Sequence, residues 1–270
     1  MQGICKSIFV KRIIAGEFIG TFVLVLIGCS TVALAVLYSL PLLSVALLWG
    51  LAVFAGIMIS SSRSDSHLNP AVTFGFLASG KIRKRELGPY LLGQFAGAFI
   101  AGFTVYLIFS GDILQFEQLH GIVQGNENSK STAMIFGEFY PNPGNKELIE
   151  LSSFRAFMLE GLGTFALMSS ILIISGQKKI KKVIAALLIG ATVSILIIGI
   201  APYTQAGLNP ARDFGPRLSS YFTGWKSVVF QLPAYGFITV YIIAPIAGAC
   251  LSAVTFRLLT PNKNNLTEFN

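Results

Sequence analysis

Charge is what this sequence has least of. Charged residues fill 12% of its 270 positions against 53% for hydrophobic ones, and the mean hydropathy is +0.70. A water-soluble domain carries about 25% charged residues. A chain at half that density is suited to lipid rather than water. Cysteine is scarce too: Cys5, Cys29 and Cys250 lie far apart, in no disulfide or metal-ligand spacing. No nucleophile–base set, metal cluster or phosphate-binding loop points to an enzyme, and no cofactor is implied. The net charge is +8, but the basic residues fall in short clusters between apolar runs. That pattern excludes a nucleic-acid stripe and reads as a membrane orientation signal. The apolar run after Lys11 and Arg12 is long enough to span and lacks a small-residue cleavage site, so no cleavable signal peptide is expected.

Long apolar runs are what the sequence has in place of charge. Six reach the length of about 20 residues that a hydrocarbon core requires. They are Ile13–Leu37, Leu40–Ser61, Leu87–Phe109, Phe154–Ile174, Ile180–Ala201 and Pro233–Leu258. Two shorter apolar pieces, Asn69–Leu77 and Asn209–Tyr221, each follow a span and open with Asn-Pro. Re-entrant half-helices are the natural reading of both. The fold class expected is therefore an all-α membrane protein of six transmembrane helices plus two re-entrant half-helices.

The basic clusters set the orientation. Lys6, Lys11 and Arg12 precede span one; Arg63, Lys81, Arg83, Lys84 and Arg85 lie between spans two and three. Lys178, Lys179, Lys181 and Lys182 separate spans four and five, and Arg257 and Lys263 follow span six. With six spans all of these share one side. The loop Ser110–Ser153 falls opposite, with Asp112, Glu117, Glu127, Glu138, Glu147 and Glu150 against only Lys130 and Lys146. The positive-inside rule then puts both termini in the cytoplasm of a multi-pass protein of the cell membrane. Asn265-Leu266-Thr267 matches a glycosylation pattern but falls on the cytoplasmic side, where the match is chance.

The two halves repeat. Gly16-Glu17-Phe18-Ile19-Gly20-Thr21-Phe22 recurs as Leu159-Glu160-Gly161-Leu162-Gly163-Thr164-Phe165, and Asn69-Pro70-Ala71 recurs as Asn209-Pro210-Ala211. Three spans per half invert the second copy in the membrane. The chain is read as one domain over 1–270, with repeat one at about 10–110, repeat two at about 150–260 and an extracellular link at 110–153.

The paired Asn-Pro-Ala elements carry the chemistry. Proline fits the first helical turn, where its missing N–H is not needed. The asparagine before it can cap the helix through its side chain. Two inverted half-helices starting this way meet at mid-bilayer with their positive dipole ends facing. The remaining amide donors of Asn69 and Asn209 are then expected to point into the lumen, attracting hydroxyl oxygens and repelling cations.

Ser66-His67-Leu68-Asn69-Pro70-Ala71-Val72-Thr73 and Gly207-Leu208-Asn209-Pro210-Ala211-Arg212-Asp213-Phe214-Gly215-Pro216-Arg217 resemble the two signature loops of the major intrinsic protein (aquaporin) family. The similarity covers nearly all the chain except its termini. It implies a homotetramer in the lipid bilayer with one pore per protomer. Asp213 and Arg217 resemble markers of the glycerol facilitator branch, as do Phe116-Glu117-Gln118 and Tyr140-Pro141-Asn142-Pro143 in the outer loop. Carried over position by position, the family's selectivity ring falls on Trp49, Ile197, Ala206 and Arg212. Ala206 and Ile197 depart from the aromatic and glycine usual in glycerol facilitators, and Tyr241-Ile242 departs from their Pro-Leu. The set is more similar to plant nodulin-type pores, which also pass glycerol.

The resemblance implies a passive channel for glycerol and other small uncharged solutes, with water permeation and exclusion of protons and ions. A predominantly water-conducting pore or a pore for metalloid hydroxides or urea is the nearest alternative, and a secondary transporter the alternative of another class. Arg212 offers fixed donors to a hydroxylated edge, and Trp49 and Ile197 offer an apolar wall. The competing readings are Arg212 as a loop arginine paired with a carboxylate, Trp49 as an interfacial anchor, and Ile197 and Ala206 as packing residues. Glu17 and Glu160 are intramembrane carboxylates, which by default suggest an ion pathway. Their symmetric places favour bracing the re-entrant loops instead, with His67 packed into the same brace. Asp213 and Arg217 are expected to pin the outer loop, and Asp65 to be a solvated loop charge. Gly93, Gly97, Gly161 and Gly163 are expected to allow close helix packing.

Overall fold

The computed structural model describes residues 2–145, 147, 150–177 and 179–260, with side chains from Ile8 onward. The side chains of Cys5 and Lys6, together with Lys146, Lys178, Lys263 and Asn265-Leu266-Thr267, lie outside the described residues. Among the described residues six helices are long and apolar enough to cross a membrane: Ile8–Tyr38, Leu42–Ser60, Lys84–His120, Ser153–Gly176, Lys182–Thr204 and Pro233–Leu259. They are called spans one to six. Two short helices, Pro70–Ala78 and Pro210–Ser220, follow spans two and five. Among the described residues there is no strand.

Local chemistry places the ends. Span two starts after Pro41, whose extended backbone cannot continue a helix backwards. Span three opens with Glu86 reaching back to accept the Arg83 N–H at 2.9 Å, one limb of a capping box. Ser152 starts span four by accepting the Arg155 N–H at 3.3 Å. Span six is not one regular helix. Ala234 and Tyr235 are left-handed (φ 51° and 53°), and a wide turn over Thr239–Ile243 aims Tyr241 into the protein.

One boundary differs from the sequence expectation by a wide margin. Span three runs on to His120, so Asp112 and Phe116-Glu117-Gln118 are helical rather than part of a loop. The Gly111, Asp112 and Glu117 positions look like a loop in composition, but Ile113 and Glu117 lie four apart on one buried face. Glu117 accepts the Thr132 hydroxyl at 2.6 Å, Tyr38 donates to Asp112 at 2.9 Å, and left-handed Gly121 (φ 63°) ends the helix. Tertiary partners thus hold as helix what an isolated polar segment would leave open.

Packing follows the internal repeat. Span one lies against spans two and three, as span four lies against spans five and six. The first half-helix packs on span six and the second on span three, while spans two and five meet across the middle. This is an inverted repeat in which each half-helix is held mainly by the other half of the chain. The crossings are close because glycines meet backbone. A Cβ at Gly93 or Gly97 would come 2.7 or 2.4 Å from the carbonyl oxygens of Ile14 and Phe18. Gly161, expected to be such a contact, has room for a Cβ at 3.5 Å from Ala244; the constraint is on Gly248 opposite, 2.0 Å from the Gly161 oxygen. Gly248→Ala should therefore lower stability by about 1–3 kcal/mol through overpacking. Gly111→Ala, where nothing lies within 4 Å, should not. Thermal unfolding of the two variants in detergent checks this, and equal midpoints would reject it.

Candidate transmembrane pore

The half-helices begin head to head at the centre of the molecule. The Asn69 side-chain oxygen accepts the Ala71 N–H at 2.8 Å, and that of Asn209 accepts the Ala211 and Arg212 N–H groups at 3.0 and 3.3 Å. Pro70 and Pro210 occupy the first turns, and Ala71 and Ala211 are fully buried behind them. Each asparagine then crosses to the other half: Asn69 Nδ2 donates to Leu208 O at 2.9 Å and Asn209 Nδ2 to Leu68 O at 2.8 Å. The amide donors expected to point into the lumen are thus partly engaged. One N–H of each pair is used in the cross-link, leaving one per asparagine.

Two buried carboxylates hold the strands of backbone that lead into these caps. Glu17 Oε1 accepts from Ser64 Oγ at 2.7 Å and the His67 N–H at 3.1 Å, and Oε2 from the Leu68 N–H at 2.7 Å and Gln94 Nε2 at 2.8 Å. Glu160 Oε1 accepts from Thr204 Oγ1 at 2.6 Å and the Gly207 N–H at 2.9 Å, and Oε2 from the Leu208 N–H at 2.8 Å. Ser66, Leu68, Gln205, Ala206 and Leu208 are left-handed, so neither segment can satisfy its own backbone as a helix would. His67 stacks between Phe76 and Tyr90 (ring centroids 4.6 and 4.2 Å), with Nδ1 3.2 Å from Thr73 Oγ1. Tyr241 donates to Thr204 O at 3.1 Å and lies against Gly207, closing the second segment from behind.

Two cavities meet at a shared neck; the one bordered by His67 and Asp65 is called inner and the one bordered by Phe116 and Asn145 outer. The inner one has a largely apolar wall, including Leu24, Val53, Val72, Leu167 and Val193, and is also bordered by Asn69, Asn209 and His67. Asp65 is an exposed loop residue, as expected, and it also borders this cavity and accepts the Tyr90 hydroxyl at 2.9 Å. The outer cavity is bordered by Val45, Phe116, His120, Met134 and Asn145 among others. Four residues border both: Trp49, Ile197, Gln205 and Arg212. Three of these are ring positions named from the sequence. The fourth, Ala206, borders only the inner cavity, and Gln205 stands at the neck.

Arg212 is 4% exposed, and its guanidinium lies 4.5 Å from the centre of the Trp49 ring. Trp49 can reach this place because its ring lies over Gly28, where a Cβ would be 2.2 Å away. Arg212 also forms a contact ion pair with the fully buried Glu138. Pairing with a carboxylate and lining the neck therefore occur together; they are not alternatives. Glu138 sits in the outer segment, where sequence reasoning counted it as a surface charge. An isolated carboxylate inside the run Phe136–Tyr140 was the available signal. Its backbone is fixed from both sides: its N–H donates to Asp213 Oδ1 at 2.8 Å and its carbonyl accepts from Arg217. Arg217 and Asp213 form their own ion pair at 2.6 Å, fully buried, and Arg217 also donates to Val229 O. Asp213 and Arg217 thus hold the outer segment and border neither cavity.

Comparison with known proteins agrees with this architecture. The family model described as "Major intrinsic protein" matches residues 4–256. A glycerol uptake facilitator protein of Pseudomonas aeruginosa is 36% identical, the match covering 90% of this chain and 86% of that one. A propanediol uptake facilitator of Salmonella typhimurium is 33% identical over 89% of this chain and 90% of its own. The X-ray structure of the aquaglyceroporin from Plasmodium falciparum superposes with a TM-score of 0.77 at 27% identity, covering 92% of this chain and 95% of that one. The head-to-head half-helices, the inverted repeat around them and a family match over nearly the whole length lead to one conclusion: the chain belongs to the major intrinsic protein family.

Proposed function

We propose that this protein is a passive channel, not an enzyme, for glycerol and similarly small uncharged solutes, passing water as well and excluding protons and ions. The observation that carries the reading is the neck, where a donor-only guanidinium faces the same opening as Trp49 and Ile197. A short polyol has one hydroxylated edge and one carbon–hydrogen edge. Arg212 has N–H donors for the first, and the two apolar side chains give the second a surface that water does not reward. Relatives named for glycerol and propanediol uptake support the same solute class. Beyond the neck, Asn69 and Asn209 each retain one N–H for a passing oxygen, beside two helix N-termini whose partial positive charge opposes cations. Stopped-flow light scattering of proteoliposomes under glycerol and water gradients is the test. Glycerol flux well above that of empty vesicles is expected; water flux alone would reject the glycerol reading. Ile197→His, which removes apolar wall and adds bulk, should depress glycerol flux far more than water flux. An equal loss of both would remove Ile197 from the filter.

The ion pair changes what Arg212 contributes to exclusion. With Glu138 in contact, the neck carries no net charge from these two residues, and the barrier to cations falls to the half-helix termini and asparagine donors. Arg212→Val alone leaves an unpaired carboxylate behind the neck and should admit cations, read as conductance in a planar bilayer. The double variant R212V/E138Q should stay silent. Conductance in the double variant as well would assign the barrier to the Arg212 charge itself.

Glu17, Glu160 and His67 act as braces in this reading rather than as a proton relay. Each carboxylate is supported in that role by the three or four donors it already accepts. Glu160→Gln leaves one acceptor oxygen where two are used, and should cost about 1.5–3 kcal/mol per lost charge-assisted bond. The expected result is a lower unfolding temperature in detergent with the glycerol-to-water flux ratio kept. Loss of that ratio at unchanged stability would favour a direct role in transport.

The chain acts in this proposal as one channel domain of two repeats, at about 10–110 and 150–260. It sits in the plasma membrane with both termini cytoplasmic, as the basic clusters of the even-numbered links suggest. Assembly as a homotetramer is part of the same proposal, drawn from the family. The exposed apolar faces of spans two and five, with Leu43, Leu47, Leu51 and Ile195 more than half exposed, suit lipid or a second copy.

A further inference from the structure

Gln205 borders both cavities at the neck, although the ring position carried over from the family is its neighbour Ala206. Its backbone place favours glycine: it ends span five in the left-handed region (φ 63°, ψ 0°), where a Cβ is unfavourable. Glutamine brings a side chain there, and both its ends are engaged. Oε1 accepts the Phe139 N–H at 2.8 Å, and Nε2 donates to Met134 O at 3.1 Å. One partner only donates and the other only accepts, so the carboxamide has a single orientation. Met134 itself borders the outer cavity, so the side chain bridges from the end of span five to the outer wall. Asn142 and Asn145 reinforce that bridge, donating to Ala201 O at 2.7 Å and Pro202 O at 2.9 Å.

What remains free on the carboxamide is one lone pair of Oε1 and one N–H of Nε2. Arg212 has donors only. A hydroxyl that accepts a hydrogen bond from Arg212 still has its own proton to place, and in an apolar neck that requires an acceptor. We propose that Gln205 is a specificity-determining residue of the neck: its anchored carboxamide sets the width and supplies the acceptor that Arg212 lacks. The inference rests on the small-polyol reading above and names the side chain that sets its size limit.

Two variants separate width from hydrogen bonding, assayed in proteoliposomes with water, glycerol and a five-carbon polyol. Gln205→Gly removes the side chain at a position glycine occupies without strain. It should raise five-carbon-polyol flux relative to glycerol by roughly tenfold, the effect of losing a steric barrier of one hydrogen bond's size or more. Gln205→Met keeps the length without the carboxamide. It should still exclude the larger polyol while lowering glycerol flux relative to water by about two- to tenfold. A merely structural role would reduce all fluxes together and leave these ratios where they were. An unchanged polyol ratio in the glycine variant, or an unchanged glycerol-to-water ratio in the methionine variant, overturns the proposal. Each arm decides alone if the other variant fails to insert. If the wild type carries water and no glycerol, the solute reading fails separately. The neck is then read on water: higher water flux in Gln205→Gly upholds this inference and unchanged flux rejects it.

Discussion

Backbone that is not helical, placed at membrane depth, has to find every hydrogen-bond partner within the protein, because lipid offers none. Two such stretches, around Ser66–Asn69 and Gln205–Asn209, meet in the middle of this chain, and much of the remaining structure serves them. Each carries left-handed residues that break the helical ladder. Each is supplied with a buried glutamate from the start of its own repeat and with an asparagine from the other repeat. The exchange between Asn69 and Leu208, and between Asn209 and Leu68, ties the halves together where neither could be satisfied alone. Glycine contacts between spans are the packing side of the same constraint. Spans one and three, and four and six, must approach within backbone contact for Glu17 and Glu160 to reach the loops they support.

The outer half of the path obeys a second rule, that buried charge must be paired. Four ionisable residues lie there with almost no exposure: Glu138, Arg212, Asp213 and Arg217. They form two ion pairs, Arg212 with Glu138 and Arg217 with Asp213, joined through the Glu138 backbone. Of the four only Arg212 borders the neck. Asp213 and Arg217 reach the neck only through the position they give Glu138, and Glu138 only through its contact with the guanidinium that lies over Trp49. The outer segment is thereby tied to the second half-helix. It is tied down again where Gln205 meets Phe139 and Met134.

The local signals in the sequence were strong where one residue type has one physical use. Apolar runs gave the spans, because nothing but a helix satisfies its backbone in lipid. Asn-Pro gave both half-helix starts, because proline suits the first turn and asparagine its cap. The recurrence of Glu17 and Glu160 gave the repeat. The signals were weak where a polar residue has several uses. Glu117 and Glu138 belong to an outer stretch rich in acids, and composition alone makes them surface charges; both are buried. Asp65 reads the same way and is exposed, yet its carboxylate also borders the inner cavity and accepts the Tyr90 hydroxyl.

Taken by itself, then, the sequence determined the solvent, the number of spans, the inverted repeat and the residues at the centre. Each of these follows from periodicity, hydropathy or a cap, which act within a few residues. Only the tertiary structure decided which side chains share the neck. Trp49, Ile197, Gln205 and Arg212 come from different elements, and Glu138 reaches Arg212 from 74 positions earlier in the chain. Counting along the chain placed Ala206 beside them, but a left-handed turn at 205 and 206 set the glutamine at the neck and the alanine below it. A backbone reversal of that kind redirects side chains by a large angle over one residue, and nothing in the spacing of the sequence encodes that angle.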